Sequence, residues 1–169
     1  MTIPSGGPFV LGPEEGDDLW ILGGLYSFKA LGATSGGAYT LCEVQGPAGF
    51  AIPMHIHEHE EEGFYLARGE ATLFVSDDEH RLAAGAFGFV PRGHRHCFRL
   101  DSADARLLLL VSPGDAGHEA MFRAMGEPAG RHAVPAAEEV QTPDLETLPS
   151  IAARHGTRIV GPPPGSDPA

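Results

Sequence analysis

Short apolar runs separated by turn-forming residues dominate the first two-thirds of the chain. From residue 9 to residue 112, about ten such runs follow one another, and Gly, Pro, Asp or Ser stands between them. Segments of this length are typical of β-strands joined by tight turns, because helices need longer periodic stretches. The pattern therefore predicts an all-β protein, an antiparallel sandwich or jelly-roll barrel. The runs are LWIL (19–22), LYSFKAL (25–31), AYTLCEV (38–44), FAIPMHIH (50–57), GFYLA (63–67), ATLFV (71–75), HRLAA (80–84), FGFV (87–90), HCFRL (96–100) and RLLLLVS (106–112).

The pattern changes after residue 113. The stretch DAGHEAMFRAMGEP (115–128) places Met121, Phe122 and Met125 on one face and ends in Gly and Pro, which predicts a short amphipathic helix. A second helix is predicted in DLETLPSIAARHG (144–156), with its first turn set apart by Pro149. The expected divisions are N-terminal strands that pack on the barrel or a partner (1–35), the barrel core (36–112), a C-terminal helical extension (113–158) and a flexible tail (159–169).

Length, net charge and cysteine content limit the number of domains, the partners and the cellular location to be expected. A length of 169 residues suits one domain, and a net charge of -12 argues against partners such as nucleic acid or anionic membranes, which require a positive surface. Cys42 and Cys97 lie far apart and form no CxxC motif, so two free thiols in a reducing compartment are expected. The N-terminus lacks the basic start and apolar stretch of a signal peptide, and a cytoplasmic location is expected.

A cluster of histidines and glutamates, HIHEHEEEGFYLARGE, occupies residues 55–70. Alternate residues of a strand point to the same side, so His55 and His57 share one face and can converge on one ion. Glu62 on the next strand points to the same side as His55 and His57 if the intervening loop does not change which face of the strand is turned inward. His94 and His96 follow another turn further on. Three imidazoles and one carboxylate suit Zn, Fe, Ni, Co or Mn and leave positions open for water and substrate.

The spacing of these ligands and the nearby glycines resembles the two sequence signatures of the cupin superfamily. The signature residues are Gly49, His55, His57, Glu62 and Gly69 in the first, and Gly85, Pro91, Gly93 and His96 in the second. Leu100 stands where the second signature often has Asn, which is not a metal ligand in that family. The resemblance covers residues 36–112 and implies a small β-barrel of the double-stranded β-helix type, with four ligands projecting inward. The implied metal ligands are His55, His57, Glu62 and His96.

The other histidines and glutamates are expected to be bystanders. A solvated hairpin turn is predicted for residues 58–61, with Glu61 as the rival of Glu62 for the metal. His94 is expected at the rim, and Cys97 is expected to point out of the barrel by alternation. Surface positions are predicted for His80, His118, His132 and His155.

Within the cupins, three segments resemble quercetinase-like flavonol 2,4-dioxygenases: residues 46–75, residues 82–100 and the helical stretch 112–129. The resemblance implies one divalent transition metal, with Ni, Co, Fe or Mn favoured and Zn or Cu as alternatives. It further implies that the metal takes the 3-hydroxyl of a flavonol, that Glu62 accepts the proton, and that the flavonolate reacts with O2, opening the ring with loss of carbon monoxide. It also suggests a homodimer, paired through edge strands or through exchanged N-terminal segments. The apolar FVL and LWIL segments near the N-terminus could form that contact, and the alternative is that they cover their own barrel.

Apolar side chains near the predicted ligands suggest a substrate pocket, with the face of the first helix as its lid. Ordinary core packing is the competing interpretation for most of them. Two other functions stay open: a metal-dependent isomerase, cyclase or lyase acting without O2 on an enolisable or polyketide-like substrate, and a non-enzymatic small-molecule binder. The candidate pocket residues are Phe64, Leu66, Phe87, Phe89, Phe98, Leu109, Met121, Phe122 and Met125.

Overall fold

The computed structural model describes residue 3, residues 7–140 and residues 147–165. Twelve strands, two α-helices and one short 3₁₀ helix occupy these ranges. The strands are β1 Asp17–Ile21, β2 Gly24–Ala30, β3 Thr40–Gln45, β4 Met54–His57, β5 Glu61–Arg68, β6 Glu70–Val75, β7 Asp78–Ala83, β8 Phe87–Val90, β9 His96–Leu100, β10 Arg106–Ser112, β11 Glu127–Pro128 and β12 Thr157–Gly161. The helices are α1 His118–Met125 and α2 Leu148–Arg154, and the 3₁₀ helix is Ala137–Glu139.

Two antiparallel sheets form the body of the molecule. The larger has the strand order β11-β1-β2-β3-β10-β5-β8, and the smaller has the order β12-β4-β9-β6-β7. Each of the ten apolar runs overlaps a strand, which confirms the predicted all-β jelly-roll class with short helices. The run at residues 50–57 forms regular strand only from Met54 onward, and Ala51 makes a single bridge to Arg99.

The core shows how alternation sorts side chains between the sheets. In β10, Leu107, Leu109 and Val111 are buried, whereas Leu108 and Leu110 face outward. Leu19 and Ile21 of the N-terminal LWIL run are also buried in this core, so that run covers its own barrel. A side chain of this kind stabilises the fold by roughly 1.5–3 kcal/mol when fully buried. The same alternation carries the ligand strands into the space between the sheets.

The structure differs from the sequence-based prediction near the C-terminus. In place of a helical extension to residue 158 and a flexible tail from residue 159, Thr157–Gly161 forms β12 and pairs with β4. The pairing completes the hydrogen bonding of β4, which otherwise has only β9 beside it. The strand follows a turn at Gly156, whose φ of 74° suits glycine. Residues 144–146 of the predicted second helix and residues 166–169 of the predicted tail lie outside the described residues.

The two α-helices are short. They have 8 and 7 residues, and α1 occupies the helix predicted within residues 115–128. Among the described residues, no helix has the length and apolar character that crossing a membrane requires.

Candidate metal centre

The four predicted ligands come together between the two sheets. His55 and His57 lie on β4, and His96 on the adjacent β9 is the direct cross-strand partner of His55. Glu62 projects from β5 of the opposite sheet. All four are buried, and one ligand atom from each lies within 4.8 Å of the others. The group could therefore hold a metal ion.

Short distances place the carboxylate among the imidazoles. Oε2 of Glu62 lies 2.8 Å from Nε2 of His96 and 3.3 Å from Nε2 of His57. The Nε2 atoms of His55 and His57 are 3.1 Å apart. Each imidazole thus presents Nε2 to a common centre, and the carboxylate supplies the fourth donor.

The outer nitrogens of the same rings define the tautomers. Nδ1 of His55 lies 2.9 Å from the Pro53 carbonyl, and Nδ1 of His96 lies 2.9 Å from the His94 carbonyl. A carbonyl oxygen only accepts, so both Nδ1 atoms carry a proton, and Nε2 is the atom that each ring offers to the centre. Nδ1 of His57 lies 2.9 Å from Oγ1 of Thr157. Three converging Nε2 atoms whose rings are oriented by outer partners fit a transition metal.

The electrostatics of the site favour an ionised carboxylate. Burial alone raises the pKa of Glu62, but the charge and hydrogen bond of His57, together with the hydrogen bond of His96, hold that pKa well below its usual value. Burial and the neighbouring His96 and His57 lower the pKa of His55 well below normal. At neutral pH Glu62 is therefore negative and His55 is neutral, as metal binding requires. For His57, burial lowers the pKa but the charge and hydrogen bond of Glu62 outweigh it and raise that pKa, so metal binding would have to displace its proton.

Two residues expected at the surface lie behind the ligands instead. Glu60 is 0% exposed, and its Oε1 accepts a hydrogen bond of 3.0 Å from the backbone N–H of His118. His118 is 4% exposed, and its Nε2 lies 3.8 Å from Oε1 of Glu62. Two sequence signals could have found them. Glu60 has the same strand parity as Glu62, and His118 lies four residues before Phe122 on the apolar helix face.

A cavity of about 50 Å³ opens beside the ligands, and its polar lining includes His55, Glu62, His118 and Thr157. Apolar side chains from both sheets and both helices make up most of its wall. Of the predicted pocket residues, five line it: Phe98, Leu109, Met121, Phe122 and Met125.

The other predicted pocket residues lie elsewhere. Phe64 and Leu66 belong to the hydrophobic core and are absent from the cavity wall. Phe87 and Phe89 are 61% and 54% exposed, so they are surface residues and not pocket residues. Their strand β8 places the alternate residues inward, because Val90 is buried and a Cβ on Gly88 would meet Leu73 at 2.6 Å.

The remaining sequence expectations have mixed outcomes. His94 and His59 are exposed, in agreement with a rim and a solvated turn. Cys42 and Cys97 are free thiols, as expected, and both are buried. His132 is half-buried, with Nδ1 2.9 Å from Asp18.

Comparison with known proteins identifies a matching domain family and two similar enzymes. The cupin domain family matches residues 43–112. Quercetin 2,3-dioxygenase of Bacillus subtilis is 33% identical over 134 residues, which cover 79% of this chain and 39% of that enzyme. Quercetin 2,3-dioxygenase of Aspergillus japonicus is 31% identical over 109 residues, which cover 60% of this chain and 31% of that enzyme. The chain thus spans less than two-fifths of the length of these relatives.

Solved structures share the fold. Oxalate decarboxylase from Bacillus subtilis superposes with a TM-score of 0.55 at 16% identity, covering 68% of this chain and 32% of that one. The nucleoside dehydratase Pac13 superposes with a TM-score of 0.52 at 14% identity, covering 63% of this chain and 83% of that one. The domain match, the two antiparallel sheets and the inward His and Glu ligands together assign this chain to the cupin superfamily.

Proposed function

We propose that this chain is a metal-dependent dioxygenase of the quercetinase type, which cleaves a flavonol or a similar enolisable aromatic substrate with O2. The observation that carries the proposal is an ionised carboxylate, Glu62, placed among three imidazoles at the wall of an apolar cavity. The identity to two quercetin 2,3-dioxygenases supports this substrate class over other cupin substrates.

In this proposal His55, His57, Glu62 and His96 hold one divalent metal, with Ni, Co, Fe or Mn favoured over Zn or Cu. A bound metal lowers the pKa of a substrate hydroxyl beside it. Glu62 is the catalytic base, because it is ionised and it lines the cavity from which the hydroxyl approaches. The apolar wall excludes water from the resulting anion.

The small size of the cavity implies that the two helices at its wall take part in substrate binding. About 50 Å³ is well below the roughly 300 Å³ or more of sites for drug-sized ligands, so a flavonol requires the wall to move. Met121 and Met125 of α1 and Leu148 of α2 belong to this wall. Methionine adapts easily to new shapes because it is unbranched and flexible. The helix pair therefore acts as an adaptable cap over the metal centre.

Oxygen uptake tests the proposal directly. Protein loaded separately with Ni, Co, Fe or Mn is mixed with quercetin in an oxygen electrode, and carbon monoxide is collected. We expect one O2 consumed and one carbon monoxide released per quercetin. Glu62→Gln should slow uptake by about 100-fold or more. Glu61→Gln is the matched control, since Glu61 is half-buried beside Arg92 and lies outside the metal group.

Other outcomes separate the alternatives. Absence of O2 uptake with every metal would refute the dioxygenase. Turnover of an enolisable diketone under argon would then indicate an isomerase, cyclase or lyase. Binding of quercetin without any turnover would indicate a small-molecule binder.

The proposed assembly is a homodimer. The outer face of β5, β8 and β10 exposes Tyr65, Phe87, Phe89 and Leu110, and β8 is an edge strand of its sheet. An apolar patch on a sheet edge favours association with a second copy. Sedimentation analysis should give a dimer for the wild type and a monomer for the double variant Phe87→Ser, Phe89→Ser. A wild-type monomer at micromolar concentration would contradict the dimer.

A further inference from the structure

His118 is a buried polar side chain whose ring makes no hydrogen bond. Neither Nδ1 nor Nε2 has a hydrogen-bond partner among the described residues, and both atoms are inaccessible to solvent. A buried polar group without a partner destabilises the fold, and an apolar side chain at the first position of α1 would avoid that penalty. A histidine in this place is therefore explained better by the neighbouring site than by packing.

The ring points at the carboxylate of the metal centre. Nε2 of His118 lies 3.8 Å from Oε1 of Glu62, while Oε2 of Glu62 faces the imidazoles of His96 and His57. The gap is about 0.8 Å longer than an ordinary N–H···O hydrogen bond. Hydrogen bonds in sites without their ligands are often long and tighten when the site is complete.

Three contacts hold His118 in this position. Its backbone N–H donates to Oε1 of Glu60, which connects the start of α1 to the β4–β5 turn. Its ring packs edge-on against Phe122, with centroids 4.3 Å apart, and lies 4.7 Å from the ring of His57. Gly117 before it has a φ of 132°, a conformation that favours glycine. The ring is therefore confined by packing, and only a small movement separates it from Glu62.

We infer that His118 is a positioning residue of the metal centre, which donates a hydrogen bond from Nε2 to Oε1 of Glu62 and so keeps Oε2 turned toward the three imidazoles. The inference rests on metal binding by those four residues, as in the proposed function, but not on any reaction with O2. Partners of this kind behind metal ligands typically contribute 10–100-fold to metal affinity.

Two substitutions of similar length separate the hydrogen bond from packing. His118→Gln retains an N–H donor at a similar reach, whereas His118→Met has similar length and no donor. Co²⁺ is the probe, with affinity measured by competition against a chromophoric chelator and ligation followed by its visible absorption. We expect His118→Met to bind Co²⁺ about tenfold more weakly with an altered spectrum, and His118→Gln to remain close to the wild type.

Thermal unfolding without metal serves as the control for folding. His118→Met should melt at or above the wild-type temperature, since it replaces an unpartnered polar ring. If His118→Met does not fold, His118→Leu is the second donor-free variant. Wild-type Co²⁺ affinity and spectrum in the donor-free variants would overturn the inference, as would a His118→Gln variant as weak as His118→Met. Failure of quercetin to consume O2 would instead refute the dioxygenase and leave the Co²⁺ result standing.

Discussion

Removing the hydroxyl of Thr157 should weaken both the fold and the metal centre. Oγ1 of Thr157 lies 2.9 Å from Nδ1 of His57, and both residues are buried. Thr157→Val keeps the shape and the β-branched side chain that suits strand β12, but leaves that nitrogen without its partner. A buried group that loses its hydrogen bond costs about 1–3 kcal/mol. Oε2 of Glu60, 3.8 Å from the same nitrogen, offers a weaker replacement, so we expect about 1–2 kcal/mol.

Thr157→Val should also weaken metal binding, and the size of that loss is separate from the loss of stability. A ligand whose outer nitrogen is no longer held should lose about tenfold in metal affinity, which corresponds to about 1.4 kcal/mol. Urea unfolding of the metal-free protein measures the first effect, and Co²⁺ competition titration measures the second. Thr157→Ser keeps the hydroxyl and is the matched control. The reasoning is refuted if Thr157→Val equals the wild type in both assays, or if Thr157→Ser loses as much affinity as Thr157→Val.

Three further predictions concern the thiols and the aromatic residues. Burial raises the pKa of Cys97 to about 12 and that of Cys42 well above normal, so both stay protonated at pH 9, where an exposed cysteine is mostly thiolate. Native protein should therefore resist iodoacetamide at pH 9 and incorporate two labels after denaturation, as mass spectrometry would show; rapid native labelling would contradict this. Phe98→Ala should lower the free energy of unfolding by about 3–5 kcal/mol in urea titrations, since Phe98 is buried. At protein concentrations low enough to dissociate the proposed dimer, Phe89→Ala, on the exposed face, should change the free energy of unfolding by less than about 0.5 kcal/mol, and equal losses would refute the assigned faces.

Local patterns accounted for the fold class and for the four side chains of the candidate metal centre. The strands could be predicted because each is short and closed by turn residues. His55 and His57 share a face because they are two residues apart in a strand, and this geometry follows from the chain alone. Glu62 and His96 required only the known spacing of the cupin signatures in addition.

Other parts of the site depend on contacts that no local pattern reveals. Alternation left two choices for β8, and only the packing against the core decided that Gly88 and Val90 face inward while Phe87 and Phe89 face solvent. The strand β12 has no marked apolar alternation, and it forms because β4 has a free edge beside it.

The sequence by itself determined an all-β cupin with four inward candidate ligands, because strand parity and ligand spacing are properties of neighbouring residues. The tertiary structure decided which other residues contact those four side chains. Thr157 reaches His57 across 100 residues of sequence, and His118 reaches Glu62 from the first residue of α1. Hydrogen bonds and burial between distant segments arise only when the sheets and helices pack together, so these residues acquire their roles from the fold.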